Sequence, residues 1–329
     1  MLSPLRCGIA RLPFKVIPNE GAASPVSPHY FSMGGRPPAV PRAGRLRHDC
    51  WVSGIYDQPE LYELACAYRD IPAEVTVLQA WWATYFTGGA GVGSVLELAA
   101  GPAEHARELA RRGLRATALD WSAAMCSYAA GQAKAGGVAL DVVEADMRAF
   151  AIAGPDGGRV LFDAAVTMLN SVCHLFTLDD LVRHLTAVRS HLVAGGLYIV
   201  ELAHPADFFA PTPRTSNDWT VDAHGMHADV HWGGRDDIDP LTQVTNEHMT
   251  ITATSKDGTI RTVSDVVPNR FWTLTEFTAA VALANTGAAS GPDDSSGAWE
   301  LVASYGDFDE TTPLDAPTAW RMILILRRS

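Results

Sequence analysis

No two cysteines of this chain form a C-x-x-C pair. Cys7, Cys50, Cys66, Cys126 and Cys173 are scattered and odd in number, which argues against a thiolate zinc site and a disulfide framework and reads as reduced thiols in a cytoplasmic setting. Long hydrophobic runs are missing too: none approaches the ~20 residues of a membrane span, so no membrane partner is expected. Basic residues are scarce. With 25 Lys and Arg against 37 Asp and Glu, the net charge is −12, which speaks against a nucleic-acid partner, because phosphate contacts need clustered cations. Glycine is sparse at one telling place. After the strand that ends at Leu98, only Gly101 stands where a dinucleotide site would carry G-x-G-x-x-G.

What is present describes a globule with ample core: 47% of the 329 residues are apolar and 19% charged, enough for one large domain or two small ones. Residues 1–48 differ from the rest. They hold seven basic residues and one acid, Glu20, among Pro, Gly and Ser, without sustained periodicity. Such a segment reads as a disordered extension over residues 1–50, or alternatively as an organellar transit peptide. The folded part is then expected over 51–329.

Between Val95 and Asp120 the chain writes a strand, a tight turn, a helix from Ala103 to Arg112 and a second strand from Leu114 that ends in an acid. This unit builds an adenosine pocket on an α/β sheet. The first strand delivers a carboxylate, Glu97, and Gly101 to its C-terminal edge; Asp120 lies 19 residues on, close to the roughly 20 that bring an acid to the ribose hydroxyls. A pyrophosphate needs several bare amides approached closely, hence several glycines. A cofactor without phosphates needs only one turn and two acids. Glu97 and a single glycine therefore suit S-adenosylmethionine better than a nicotinamide cofactor.

The unit resembles motif I of the class I S-adenosylmethionine-dependent methyltransferases, and the resemblance continues in order. Ala116–Ser122, followed by Met125, resembles the second-strand motif, and Val142–Met147 the third-strand segment. Phe162–Ser171 resembles the fourth strand and its catalytic edge, and Leu192–Glu201 the turn into the fifth strand. Gly306–Asp309 and Arg321–Leu326 resemble the closing hairpin. The match spans most of residues 55–329, and the departure is Ala99 and Ala103 in place of glycine. It implies an α/β, Rossmann-like, doubly wound and mostly parallel seven-stranded sheet. It also implies a helical lid over 51–90, a cofactor-binding core over 91–205, and a last helix with closing strands over 271–329.

Periodicity supports the outline independently. Leu61, Leu64, Ala65 and Tyr68, then Val75, Leu78, Trp81 and Trp82, keep helical spacing, with Pro72 separating two helices. Residues 95–202 alternate strand and helix five times, with glycines at 113, 136–137 and 195–196 where helix caps are expected. Residues 226–232, 243–253 and 259–267 alternate polar and apolar around a Lys256-Asp257-Gly258 turn, which predicts a small antiparallel sheet inserted over 206–270. That sheet should cover the substrate. A helix over 273–284 opens with a Thr273–Glu276 capping box, and Thr286–Gly297 reads as a mobile loop.

Site residues follow from the resemblance. For the cofactor these are Tyr56 against the methionine moiety, Glu97 near its amino group, Ala99 and Gly101 in the turn, Asp120 with Trp121 at the ribose, Asp146 and Met147 around the adenine, and Leu169 with Asn170 at the fourth-strand edge. Glu97 could instead pair with a loop amide, and Asp146 could cap a helix. His174 is the best-placed general base, with Glu201 and His204 as second choices; a backbone-bonded helix-start role for His174 stays open. The series His224, His227, His231 has the wrong intervals for one strand face, so no metal is expected. The fourth strand lacks an Asn/Asp-Pro-Pro-Tyr/Phe tetrapeptide, which points to a small-molecule acceptor at N or O. Three readings remain: such a methyltransferase, a methyltransferase-like binding protein without catalysis, and an NAD(P)-dependent oxidoreductase. A homodimer stays open.

Overall fold

A computed structural model describes residues 54–209, 217–288 and 297–329; the 1–50 extension and most of the expected 286–297 loop lie outside the described residues. After a single turn at Ile55–Asp57 come helices α1 (Pro59–Cys66) and α2 (Ile71–Tyr85). They break at Asp70, whose carboxylate caps α2 by accepting from the Ala73 amide at 3.0 Å, with Pro72 in the first turn. Strand β1 (Ser94–Leu98), α3 (Glu104–Arg111), β2 (Arg115–Asp120), α4 (Ala123–Ala135), β3 (Leu140–Glu144) and β4 (Phe162–Thr167) follow, then α5 (Leu178–Ser190) and β5 (Leu192–Ala203). The strict alternation expected over 95–202 fails once. No described helix joins β3 to β4; the segment turns at Asp146–Ala149 and again around Gly154–Gly158, where glycines and Pro155 oppose a helix.

The large sheet runs β3-β2-β1-β4-β5-β11-β10, where β10 is Trp299–Tyr305 and β11 is Arg321–Arg328. The strands from β3 to β5 pair in parallel, and β11 pairs antiparallel with β5 and β10. This is the doubly wound sheet that the motifs imply. Val75, Leu78, Trp81 and Leu109 from α2 and α3 cover one face. On the other face, Leu181, Leu185 and Val188 of α5 pack with Phe277 and Ala280 of the last helix. With both faces covered, the central strands read as apolar runs: all five residues of β1 are buried, Glu97 included. Gly195 is no helix cap. It lies at φ 75°, where an added Cβ would stand 2.5 Å from the Gly88 backbone, so close approach of two chains sets its identity.

A second sheet rises beyond a short helix, α6 (Ala206–Phe209). It comprises β6 (Asp218–Ala223), β7 (Met226–Arg235), β8 (Val244–Ser255) and β9 (Ile260–Arg270) in that order, all antiparallel. Alternation predicted three of its strands; β6 is short and half-polar, and only pairing with β7 makes it a strand. Val221, Ala228, Val230, Met249 and Ile251 point from this sheet onto Leu61, Leu64 and Ala65 of α1. Lid helix and inserted sheet thus form one roof. Helix α7 (Leu274–Ala288) opens with the predicted capping box: the Thr273 hydroxyl accepts from the Glu276 amide at 3.2 Å, and the Glu276 carboxylate accepts from the Thr273 amide at 3.1 Å.

The roof is tied to the large sheet by buried charges. The Arg69 guanidinium, between α1 and α2, donates to Glu74 and, at 2.8 Å, to Glu201 of β5. Arg321 of β11 lies 3.3 Å from Glu74 and 3.4 Å from Glu201. His105 of α3 lies 2.9 Å from Glu74 and 3.5 Å from Glu97. Burial pulls the His105 pKa down, but its two carboxylate partners win and raise it to about 9, so it is cationic.

His105 therefore makes stability depend on pH. A folded-state value raised from 6.5 to about 9 contributes stability fully present below pH 6.5 and lost as pH rises through 9. Burial beside Glu63 raises Glu104 from 4.5 to about 7, which weakens the fold in the separate window between those values. Urea midpoints should thus fall between pH 7 and 9, and His105→Gln should flatten that limb while lowering stability at pH 7. A midpoint that stays level across this window in the unsubstituted protein contradicts the assignment.

Candidate active site

The strand order reverses between β1 and β4, and a cavity of about 640 Å³ opens there at the carboxyl ends of the strands. Its floor is the loop after β1. Ala99, Gly101 and Ala103 have φ of 48°, 53° and 58°. All three are left-handed, at the positions where the family writes Gly-x-Gly-x-Gly. The loop keeps the glycine path although two of its residues carry a Cβ, at a cost of roughly 1–2 kcal/mol each. An added Cβ at Gly101 would come no nearer than 3.8 Å to Tyr62, so the turn itself requires glycine conformation rather than glycine space.

Asp120 faces this loop from the end of β2. One carboxylate oxygen accepts from the Gly101 amide at 2.7 Å and the other from the Ser122 amide at 2.8 Å. Burial raises its pKa despite these bonds. A carboxylate offers about four lone-pair sites; two hold the loops, and the remainder suit a donor pair such as a ribose diol. Trp121, 65% exposed, stands at the cavity mouth. The residues present fit an adenosine-bearing cofactor.

Asp146 and Met147 line the cavity after β3, but the Asp146 carboxylate is gripped by Arg148, whose Nε lies at 2.9–3.0 Å and Nη2 at 2.6 Å. Burial would raise its pKa; those bonds, with that from the Arg148 amide, lower it. The Met147 carbonyl accepts from buried His184, which in turn meets the Tyr198 hydroxyl at 2.8 Å. That chain of contacts fixes the loop after β3 and was not visible in the sequence.

Leu169 and Asn170 follow β4 with φ of 52° and 59°. A bulky residue in the left-handed region is strained. Glu201 holds it there: its carboxylate accepts from the Leu169 amide at 2.8 Å, while the Asn170 side chain accepts from the Ala203 amide at 3.1 Å. Burial would raise the Glu201 pKa, but Arg69 and Arg321 lower it. Glu201 lines the cavity as a fixed anion, so the expected base role gives way to a structural one. His204 is corrected as well. Its Nε2 faces the Leu314 carbonyl at 2.9 Å and its Nδ1 accepts from the Ala206 amide at 3.1 Å, outside the residues that line the cavity. Glu97 is the third correction: its carboxylate accepts from the Ala106 amide at 2.7 Å and does not reach the cavity. Its partner is the first turn of α3, neither the cofactor side nor the loop amide that was the alternative.

His174 does line the cavity. Its Nε2 lies 3.0 Å from the Tyr56 hydroxyl, with the rings edge to face at 5.6 Å. Burial drives its pKa down to about 4, against a small opposing pull from the Pro268 backbone. The roles in the Tyr56–His174 contact follow the ring's tautomer: with Nε2 unprotonated, the Tyr56 hydroxyl donates to it and keeps an oxygen lone pair to accept from a ligand. Among the described residues no group of three or more His, Cys, Asp and Glu gathers to hold a metal, and no helix is long and apolar enough to cross a membrane.

Two measurements test the floor. Asp120→Ala should weaken binding of S-adenosylhomocysteine by about 1–3 kcal/mol in calorimetry, because it strands two ribose hydroxyls; unchanged affinity would show that the diol lies elsewhere. Ala99→Gly and Ala103→Gly should each raise the unfolding free energy by about 1 kcal/mol through relief of left-handed alanine. Destabilisation by either substitution would show that the methyl group packs usefully.

Residues 95–196 match the family model described as a methyltransferase domain. No curated protein matches the chain in sequence. Among solved structures, an S-adenosylmethionine-dependent methyltransferase from Clostridium acetobutylicum superposes with a TM-score of 0.62 at 14% identity, over 84% of this chain and 96% of that one. The sugar N-methyltransferase KedS8 from Streptoalloteichus gives 0.59 at 21% identity, covering 82% and 93%. The amino pentose methyltransferase CalS10 from Micromonospora echinaspora gives 0.57 at 18%, covering 86% and 100%. At these identities the solved structures show the fold, and the domain match shows the kind of domain that fills its cofactor half. The chain thus carries a methyltransferase domain over residues 95–196, on a fold shared with S-adenosylmethionine-dependent methyltransferases.

Proposed function

We propose that this enzyme methylates a nitrogen of a small-molecule amine. The observation that carries the choice of nitrogen is the Tyr56–His174 pair. A hydroxyl acceptor needs a strong base, and a buried imidazole held to about 4 is a weak one. A neutral amine carries its own nucleophilic lone pair and needs only alignment, which alone supplies a large part of the acceleration. The names of the sugar N-methyltransferase and the amino pentose methyltransferase fit this reading. When bound, S-adenosylmethionine supplies an electrophilic methyl carbon, whose bond to sulfur breaks as the bond to nitrogen forms, leaving a thioether and one proton to be lost from nitrogen.

The chain's own residues position this event. Asp120 would hold the ribose, and Asp146 with Met147 would border the adenine. Leu169 and Asn170 would shape the wall beside the transferring carbon, kept left-handed by Glu201. The Tyr56 oxygen would accept a hydrogen bond from the amine and aim its lone pair, with His174 fixing the hydroxyl rotor. The inserted sheet and the lid would exclude water above the acceptor.

A thermal shift with S-adenosylhomocysteine but none with NADH is expected, and no shift with the former would sink the cofactor assignment. With a competent amine, kcat/KM should rise with pH along the acceptor's own amine pKa. Tyr56→Phe should lower kcat about tenfold, as misalignment does, without moving that profile. A profile limb that disappears in the Tyr56 or His174 variants would instead make the pair a true base.

A further inference from the structure

Lid and inserted sheet line the cavity with an aromatic ribbon. Tyr56, Tyr62, Trp232 and Trp219 run ring to ring along it, with successive centroids 5.7, 6.1 and 6.1 Å apart. Beside the ribbon stands a polar side chain, Asn269 of β9, which also lines the cavity and is only 6% exposed. Its side-chain oxygen is taken: the Cys173 thiol donates to it at 3.1 Å. Burial pushes the Cys173 thiol well above its ordinary value, so the sulfur keeps its proton and is the donor. That contact fixes which way the amide faces, oxygen toward the sulfur and nitrogen away from it. Among the described residues nothing accepts from the amide nitrogen. The nitrogen is not sealed in the core either, so its two N–H groups are left to the cavity.

The amide is also firmly placed. Three hydrogen bonds staple this end of β9 to the segment after β4. Besides the thiol contact, the Trp272 indole N–H donates to the Val172 carbonyl at 3.1 Å, and Arg270 Nη1 donates to the Phe176 carbonyl at 2.9 Å. His174, next to Cys173 in that segment, meets the Tyr56 hydroxyl at 3.0 Å. Tyr56 and Asn269 thus flank one turn, where a single small molecule can touch both.

An amide nitrogen donates and does not accept. A buried donor that a ligand leaves unmet costs binding, so a site built around one rejects analogues that lack the matching oxygen. Asn269 belongs to the inserted sheet, whereas Gly101, Asp120 and Asp146 follow the first three strands of the large one; the amide therefore serves the acceptor. We infer that Asn269 is a specificity-determining residue, which donates to a hydroxyl or ether oxygen borne beside the acceptor's amine. Cys173 is its positioning residue, acting through the amide oxygen. The ribbon packs the apolar faces of the same molecule. The acceptor class is accordingly an amine with a neighbouring oxygen rather than a hydrocarbon amine. This inference rests on the amine reading above and narrows it.

The test is labelled methyl transfer by the full chain, read by mass spectrometry with two matched amines, trans-2-aminocyclohexanol and cyclohexylamine. Rates are expressed per concentration of neutral amine, so that the different amine pKa values drop out. The amino alcohol should show a kcat/KM about tenfold higher or more. Asn269→Ala should erase that preference by slowing the amino alcohol alone. Cys173→Ser, which keeps a donor to the amide oxygen, should retain the preference, and Cys173→Ala should weaken it. Affinity for S-adenosylhomocysteine should be unchanged in all three variants. Equal rates for the two amines in the unsubstituted protein, turnover of neither, or an Asn269→Ala that slows both alike overturns the inference. The amine reading fails on different readouts: S-adenosylhomocysteine does not bind, or the label appears only on the hydroxyl oxygen. N-methylation of both amines at equal rates would sink this inference and leave that reading standing.

Discussion

Four buried side chains carry the architecture: Arg69, Glu74, Glu201 and Arg321. Each belongs to a different part of the chain, from the α1–α2 junction to the last strand, and each is less than 10% exposed. Buried charges of this kind are costly unless paired, and removing one partner of a buried pair typically costs about 3–5 kcal/mol. Opposite charges and His105 close the set. Through Glu201 it also grips the Leu169 amide, so the lid, the strained wall after β4 and the final hairpin share one anchor. Cofactor floor and roof are thereby held in register by electrostatics rather than by apolar packing alone.

The cofactor half was legible because its signals are local. Val95–Leu98, Gly101 and Asp120 state a strand, a turn and an acid at fixed spacing, and backbone geometry leaves little choice about where they meet. The left-handed path through Ala99 and Ala103 was not legible, because alanine does not announce such a conformation. Glu97 misled for a physical reason. An acid at the end of a buried strand must be satisfied, but spacing cannot say whether a ligand or the Ala106 amide does so. His204 and Glu201 misled similarly: sequence places them at a strand edge, and only the fold shows that Leu314 and Arg69 occupy them.

The roof was the least readable part. Alternation marks β7, β8 and β9, yet the ribbon of Tyr62, Trp219 and Trp232 arises from segments more than 150 residues apart. The Tyr56–His174 contact spans 118 residues. Neither has a motif, because a tertiary meeting of common residue types leaves no periodic trace. Their chemistry nevertheless fits the rest. The Tyr56–His174 pair, the Glu201 anion fixed by arginines and the Asp120 carboxylate at the floor all line one cavity, which suits the proposed site that aligns rather than ionises.

The most direct measurement is carbon-13 NMR of the product formed with methyl-labelled S-adenosylmethionine and an aryl amino glycoside. The account predicts one labelled resonance in the N-methyl region, coupled to the ring position that bears the amine. A label in the O-methyl region, or turnover that survives loss of the amine from the acceptor, would contradict it.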